Sequence, residues 1–310
     1  MRFAPILMIA ALCAPATAWS QSDTTVLFIG NSFTYGHGSP VRFYRPETVT
    51  DVNNTGIGGV PALFESFTAQ VGLDYDVSVE TQPGSGLDFH LENRLGAIGR
   101  KAWDAVVMHG QSTLDFQDPG NPATLIDTSG RLAKFLHAAN PDVGVHVMAT
   151  WSRADQAYQP DGAWFGKPIG DMARDVRAGY DQAAEASAAI TSVIPVGEAW
   201  TRAMDTGVAD PNPYDGSAFG TVNLWTYDHY HASTYGYYLE ALVVFGRLTD
   251  RDPRSLGDHE CSAFELGLSR EETSALQQVA FDTLASNGGL TPAPFVLAKP
   301  ASLARCVERR

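Results

Sequence analysis

Residues 25–34 read TVLFIGNSFT, and this stretch decides the fold. Thr25 to Ile29 is a near-continuous apolar run, the composition of a strand buried on both faces. It stops at Gly30, and a serine, Ser32, sits on the turn that leaves it. Four more β-rich runs follow, Asp76 to Thr81, Asp104 to Met108, Val143 to Thr150 and Thr191 to Val196, of which the second and third are also nearly continuous in apolar residues. Between and after them lie helical patterns at Ala62 to Val71, Leu87 to Ile98, Leu125 to Ala139, Ile169 to Ala188, Ala232 to Leu248 and Arg270 to Ser286. Strands alternating with helices mean βαβ units and a parallel sheet.

The 310 residues are 44% hydrophobic and 18% charged, the balance of an ordered globular chain with a substantial core. The formal charge of −14 repels phosphate backbones and anionic lipid surfaces, so neither nucleic acid nor stable membrane association is expected. The first segment reads as a secretory signal peptide rather than fold. Arg2 is its positive region, Ala4 to Ala14 its apolar run, and Ala16-Thr17-Ala18 its cleavage site. Cleavage after Ala18 is expected, with Ser20 the alternative; Leu12 before Cys13 argues against a lipid anchor. The expected locale is secreted or periplasmic. Residues 1–18 are the signal, 19–286 one domain and 287–310 a tail.

Two cysteines, Cys261 and Cys306, remain in the mature chain. In an oxidising compartment they are expected to pair, which the chain-entropy account values at no more than about 4 kcal/mol. Two unrelated thiols are the alternative. The segments Ser152 to Pro168 and Thr206 to Tyr227, rich in Gly, Pro, Asp and aromatics, read as long functional loops.

The common phosphate-loop, zinc-protease and C-x-x-C motifs are absent, and Gly56-Ile57-Gly58-Gly59 lacks the third glycine of a dinucleotide site. Two features stand out. Ser32 follows a parallel strand, at the carboxyl edge where α/β folds bind ligands, and its own N–H could face an oxyanion. The alternative is a plain serine in a tight turn. Asp228 and His231 stand three apart in Tyr227-Asp228-His229-Tyr230-His231, a spacing that puts them on one side of a helical turn. The carboxylate could then hold one imidazole nitrogen and leave the other as a general base. A surface cluster, or a metal held by His229 and His231, are the other readings.

Gly30-Asn31-Ser32-Phe33-Thr34, combined with Asp228-x-x-His231, resembles the SGNH (GDSL-type) hydrolase superfamily, in particular its bacterial branch with a G-N-S-F first block. Gly84-Ser85-Gly86 is similar to the second block. Trp103 to Ser112 is similar to the strand and third block, and Tyr235-Gly236 to Leu239 with Asp252-Pro253 to the helix after the histidine. The resemblance runs from Thr25 to Pro253. It departs at Asn31, where most of the superfamily has Asp, and at His109-Gly110-Gln111-Ser112, which replaces G-x-N-D.

The resemblance implies a flavodoxin-like three-layer α/β/α sandwich, here with a five-stranded parallel sheet, and a serine ester hydrolase that needs no cofactor. Ser32, Asp228 and His231 would form the catalytic triad. The N–H groups of Ser32 and Gly86 with the Gln111 amide would form the oxyanion hole, His109 being the alternative side-chain donor. Loop aromatics Tyr158, Trp164, Phe165, Tyr214, Phe219, Trp225 and Tyr227 suit sugar faces, so an acetylated glycan is the expected substrate. A small or lipid ester, or a non-catalytic acyl-glycan-binding role, are the alternatives.

Overall fold

The computed structural model describes residues 23–290. The expected signal peptide and most of the tail, Cys306 included, lie outside the described residues. Cys261 is disulfide-bonded.

Six parallel strands form one sheet: β1 (Thr24–Gly30), β2 (Thr50–Asp51), β3 (Tyr75–Thr81), β4 (Ala105–Met108), β5 (Gly144–Ala149) and β6 (Ser192–Pro195). Their spatial order is β2-β3-β1-β4-β5-β6. Without β2 this is the 2-1-3-4-5 order of flavodoxin-like sheets. The five-strand expectation therefore needs one correction. The extra strand is a two-residue edge piece, Thr50 and Asp51 beside Ser78 and Val79. Two polar residues carry no readable period, so only pairing to β3 reveals it.

The helices are α1 (Ser32–Tyr35), α2 (Gly59–Gln70), α3 (Leu87–Asn93), α4 (Leu95–Ile98), α5 (Ala123–Ala139), α6 (Ala154–Tyr158), α7 (Gly170–Ala186), α8 (Val196–Asp205), α9 (Thr234–Thr249), α10 (Cys261–Glu265) and α11 (Arg270–Ser286). The single helix expected over Leu87 to Ile98 breaks at Arg94, whose ψ of 3° is not helical. Helix α8 begins where a strand was expected to end, and α6 lies inside the first of the two loops. Among the described residues no helix is long and apolar enough to cross a membrane.

Successive strand residues enter opposite layers. Val26, Phe28, Val77, Val79 and Val107 join the core that includes Phe67, Trp200 and Phe245 of α2, α8 and α9. Leu27, Ile29, Val106 and Met108 join the core that includes Leu132, Val176 and Tyr180 of α5 and α7. This two-sided burial is why β1 and β4 read as nearly unbroken apolar runs. Register sets the exits side by side: Gly30 pairs with Thr81 and Ile29 with Met108. The chain segments leaving β1, β3 and β4 therefore emerge together at one edge.

Candidate active site

Asn31 caps α1, its side-chain oxygen accepting from the Phe33 N–H at 3.1 Å. Its amide nitrogen donates to the Ser85 carbonyl at 2.9 Å and the Gly110 carbonyl at 3.3 Å. One buried side chain thus ties the exits of β1, β3 and β4. An aspartate could accept at this position but could not donate to either carbonyl. That is a physical reason for asparagine here.

Gly30 is fixed by its surroundings. A Cβ there would overlap the Thr34 hydroxyl and the His109 ring. His109 is buried, with Nε2 2.8 Å from Thr34 Oγ1 and Nδ1 3.0 Å from the Gly110 carbonyl. A carbonyl only accepts, so Nδ1 donates and Nε2 accepts from Thr34. Both nitrogens are occupied, so His109 holds the turn and offers no donor to an oxyanion. Burial lowers its pKa to about 4, which keeps the ring neutral.

Ser32 starts α1 and is buried. Its Oγ lies 2.8 Å from His231 Nε2, and His231 Nδ1 lies 2.6 Å from Asp228 Oδ2. The other Asp228 oxygen accepts from the N–H groups of Tyr230 at 3.0 Å and His231 at 2.9 Å. Burial would raise the Asp228 pKa, but hydrogen bonds from the His231 ring and these two N–H groups outweigh it and hold it below the usual carboxylate value. Burial lowers the His231 pKa below 6.5, against the raising effect of Asp228. The imidazole is thus neutral near pH 7, with one nitrogen anchored and the other facing a hydroxyl. This arrangement can take a proton from Ser32 and return it to a leaving group.

The loop that carries Asp228 and His231 is braced by tryptophans. Trp151, just past β5, donates its indole N–H to the Tyr230 carbonyl at 3.2 Å, and Trp225 donates to the Ser152 carbonyl at 3.0 Å. Phe33 stacks on Trp151 with ring centroids 3.9 Å apart, so the serine turn and the histidine loop share one wall. Neither Trp151 nor Tyr230 was singled out from sequence; their only signal was proximity to a strand exit and to His231.

Gly86 and Ser32 open α3 and α1, where N–H groups lack intrahelical acceptors. A Cβ at Gly86 would come 3.2 Å from Gln111 Cγ, so second and third blocks meet. Gln111 Nε2 donates to the Gly84 carbonyl at 2.7 Å, which commits one of its two amide hydrogens to joining the loops. Trp164 and Trp225, expected at a cleft, are core residues instead. The Trp164 indole N–H reaches Asp175 at 2.7 Å, which makes burying the ring tolerable. Tyr214 and Tyr227 remain exposed, and Tyr214 packs on His229 with centroids 4.2 Å apart.

Among the described residues, His37, Asp228 and His231 offer ligand atoms within 4.8 Å of one another. Both His231 nitrogens already face Ser32 and Asp228. His229, weighed as a metal ligand from sequence, lies outside that group.

A parallel sheet in this order, flanked by helices, is the fold of solved SGNH hydrolase structures. A DUF4886 family protein from Bacteroides uniformis matches at TM-score 0.58 and 17% identity, over 87% of this chain and 97% of that one. A protein described as an SGNH hydrolase from Slackia heliotrinireducens matches at 0.50 and 21%, over 73% and 99%. One described as a GDSL-like lipase from Parabacteroides merdae matches at 0.50 and 16%, over 74% and 96%. No protein-family model and no curated protein matches the sequence.

Proposed function

We propose that this protein is an exported serine ester hydrolase of SGNH type that removes acyl groups, acetyl foremost, from a saccharide. The observation that carries the reading is the continuous contact Asp228–His231–Ser32, at 2.6 and 2.8 Å. In the reaction, His231 Nε2 takes the Ser32 proton as Oγ attacks the ester carbonyl. The resulting tetrahedral oxyanion accepts from the N–H groups of Ser32 and Gly86 and from the second amide hydrogen of Gln111. His231 then protonates the departing alcohol. Water, activated by the same imidazole, releases the acyl group from Ser32. Asp228 keeps Nδ1 protonated and balances the imidazolium. The GDSL-like lipase among the structural neighbours is consistent with ester chemistry on this fold. Exposed Tyr227, adjacent to Asp228, and Tyr214, packed on His229, favour a saccharide as the alcohol half.

The test is acylation of Ser32 itself. A fluorophosphonate probe should label the wild-type protein on Ser32, and Ser32→Ala should lose labelling and about 10⁴-fold or more of the turnover of p-nitrophenyl acetate. Full turnover in a folded Ser32→Ala protein would overturn the mechanism.

A further inference from the structure

A cavity of about 250 Å³ has walls that include Tyr35, Arg42, Asn53, Thr81, Gln82 and Arg94. Two of these residues connect it to the candidate active site. Tyr35 is the last residue of α1, the helix that begins with Ser32, and its hydroxyl lies 3.4 Å from Nδ1 of His37. The His37 ring in turn packs on His231 with centroids 4.3 Å apart. On the other side, the Gln82 N–H donates to the Gly30 carbonyl at 3.1 Å, and Gln82 leads directly into Gly84-Ser85-Gly86.

The cavity is cationic in a protein whose formal charge is −14. Arg42 sits over the rings of Tyr35 and Phe43, at 5.1 and 5.2 Å, and among the described residues no carboxylate pairs with it. Its Nε is buried without a hydrogen-bond partner. Arg94 faces buried Glu80 at 3.2 Å, but Glu80 is already engaged. His90 Nδ1 contacts the Glu80 carboxylate, while His90 Nε2 lies 2.9 Å from the Gly30 carbonyl. The Gly30 carbonyl only accepts, so His90 donates to it from Nε2 and turns Nδ1 to Glu80. The Glu80 carboxylate is therefore shared between His90 and Arg94. Asp51 is another nearby acid. Its carboxylate is consumed by the N–H groups of Asn53, Thr55 and Ile57 and by the Thr55 hydroxyl. Arg94 thus has a carboxylate partner, whereas Arg42 lines the same cavity with none among the described residues and gives its wall a positive charge.

The geometry points to a subsite for an anionic group, a carboxylate or a sulfate, carried by the saccharide whose ester Ser32 would cleave. This rests on the esterase reading for its substrate but not for its binding. A planar guanidinium such as Arg42 can offer an oxyanion two N–H donors from its terminal nitrogens, which no carboxylate among the described residues occupies. Binding energy gathered there would orient the ester against Ser32.

The experiment compares three acetylated methyl glycosides: glucoside, glucuronoside and glucoside 6-sulfate. Wild-type protein should favour one or both acidic substrates over the neutral one by tenfold or more in kcat/KM. The ratio should collapse toward one in Arg42→Gln and survive in part in Arg42→Lys. Preference for the glucuronoside alone assigns a carboxylate, and for the sulfate ester alone a sulfate. Equal kcat/KM for all three overturns the subsite while leaving the esterase intact. If nothing is hydrolysed, calorimetric titration of Ser32→Ala with non-acetylated methyl glucuronoside and with methyl glucoside 6-sulfate still decides. Saturable binding of either anion, weakened tenfold in Ser32→Ala/Arg42→Gln, supports the subsite; binding of neither, or binding indifferent to Arg42, overturns it.

Discussion

The Ser85 carbonyl accepts from the Asn31 amide, and the Gly110 carbonyl accepts from it as well as from His109 Nδ1. Replacing Asn31 by aspartate, isosteric but unable to donate, sets a carboxylate against both. Asn31→Asp should therefore destabilise the protein by about 2–4 kcal/mol, and more than Asn31→Ala, which removes the amide donor but adds no charge. Urea unfolding of the three proteins at pH 7 measures this, and an Asp variant as stable as wild type would remove Asn31 from its bridging role. His231 makes a separate prediction. Burial lowers its pKa below 6.5, and only the neutral ring accepts the serine proton. The acid limb of kcat/KM for p-nitrophenyl acetate should have its midpoint below pH 6.5. EDTA should leave the profile unchanged, whereas activity lost to EDTA and restored by a divalent metal would favour a metal at His37, Asp228 and His231.

At the scale of the element, α9 carries a cost in its middle. Glu240 is buried, and its Oε2 has no hydrogen-bond partner. Burial raises its pKa well above 4.5. A carboxyl whose pKa is raised on folding adds stability below its unfolded pKa and loses it as pH climbs through the folded value. Glu240→Gln removes that pH-linked loss while keeping the shape. It should raise stability at pH 8 more than at pH 4, read as the difference in urea midpoints between variant and wild type. An equal shift at both pH values would place the effect in packing. The helix tolerates this residue because its other contacts are extensive: α9 touches α2, α8 and α11, and Tyr237 near its start holds a hydroxyl 3.2 Å from the carbonyls of both Ser32 and His37.

For the whole molecule, acid lability is expected from histidines buried in neutral form. Burial takes His109 and His146 each to about 4, from 6.5 in the unfolded chain. Between those values the unfolded state binds more protons, so each contributes stability present above pH 6.5 and lost as pH falls through 4. For His109 the loss is on the order of 3 kcal/mol. Glu198, Glu240 and Glu260, all raised by burial, work in the opposite sense. The variant comparison is therefore the measurement: unfolding free energy should fall less steeply from pH 6.5 to 4 in His109→Asn than in wild type. Parallel slopes would mean that His109 does not remain neutral in the folded protein.

The sequence by itself determined the layer order and the residues at the sheet's carboxyl edge. Thr25 to Ile29 and Asp104 to Met108 are apolar on both faces, and a strand of that composition has nowhere to lie but inside a parallel sheet. Once the sheet is parallel, turns after β1, β3 and β4 must share an edge, which places Ser32 there, while Gly86 and Gln111 were named through the resemblance to the second and third SGNH blocks. Local signals also marked the Asp228–His231 pair, because its three-residue spacing is short-range geometry. Tertiary structure alone decided the rest. That His109 is locked between Thr34 and the Gly110 carbonyl, that Asn31 spans two loops, and that Trp164 and Trp225 are core rather than cleft depends on contacts between residues far apart in the chain. The two-residue strand β2 and the cavity lined by Arg42 and Arg94 are of the same kind. Charge and periodicity are properties of a segment, whereas a hydrogen-bond partner or a missing counter-ion belongs to a place in space.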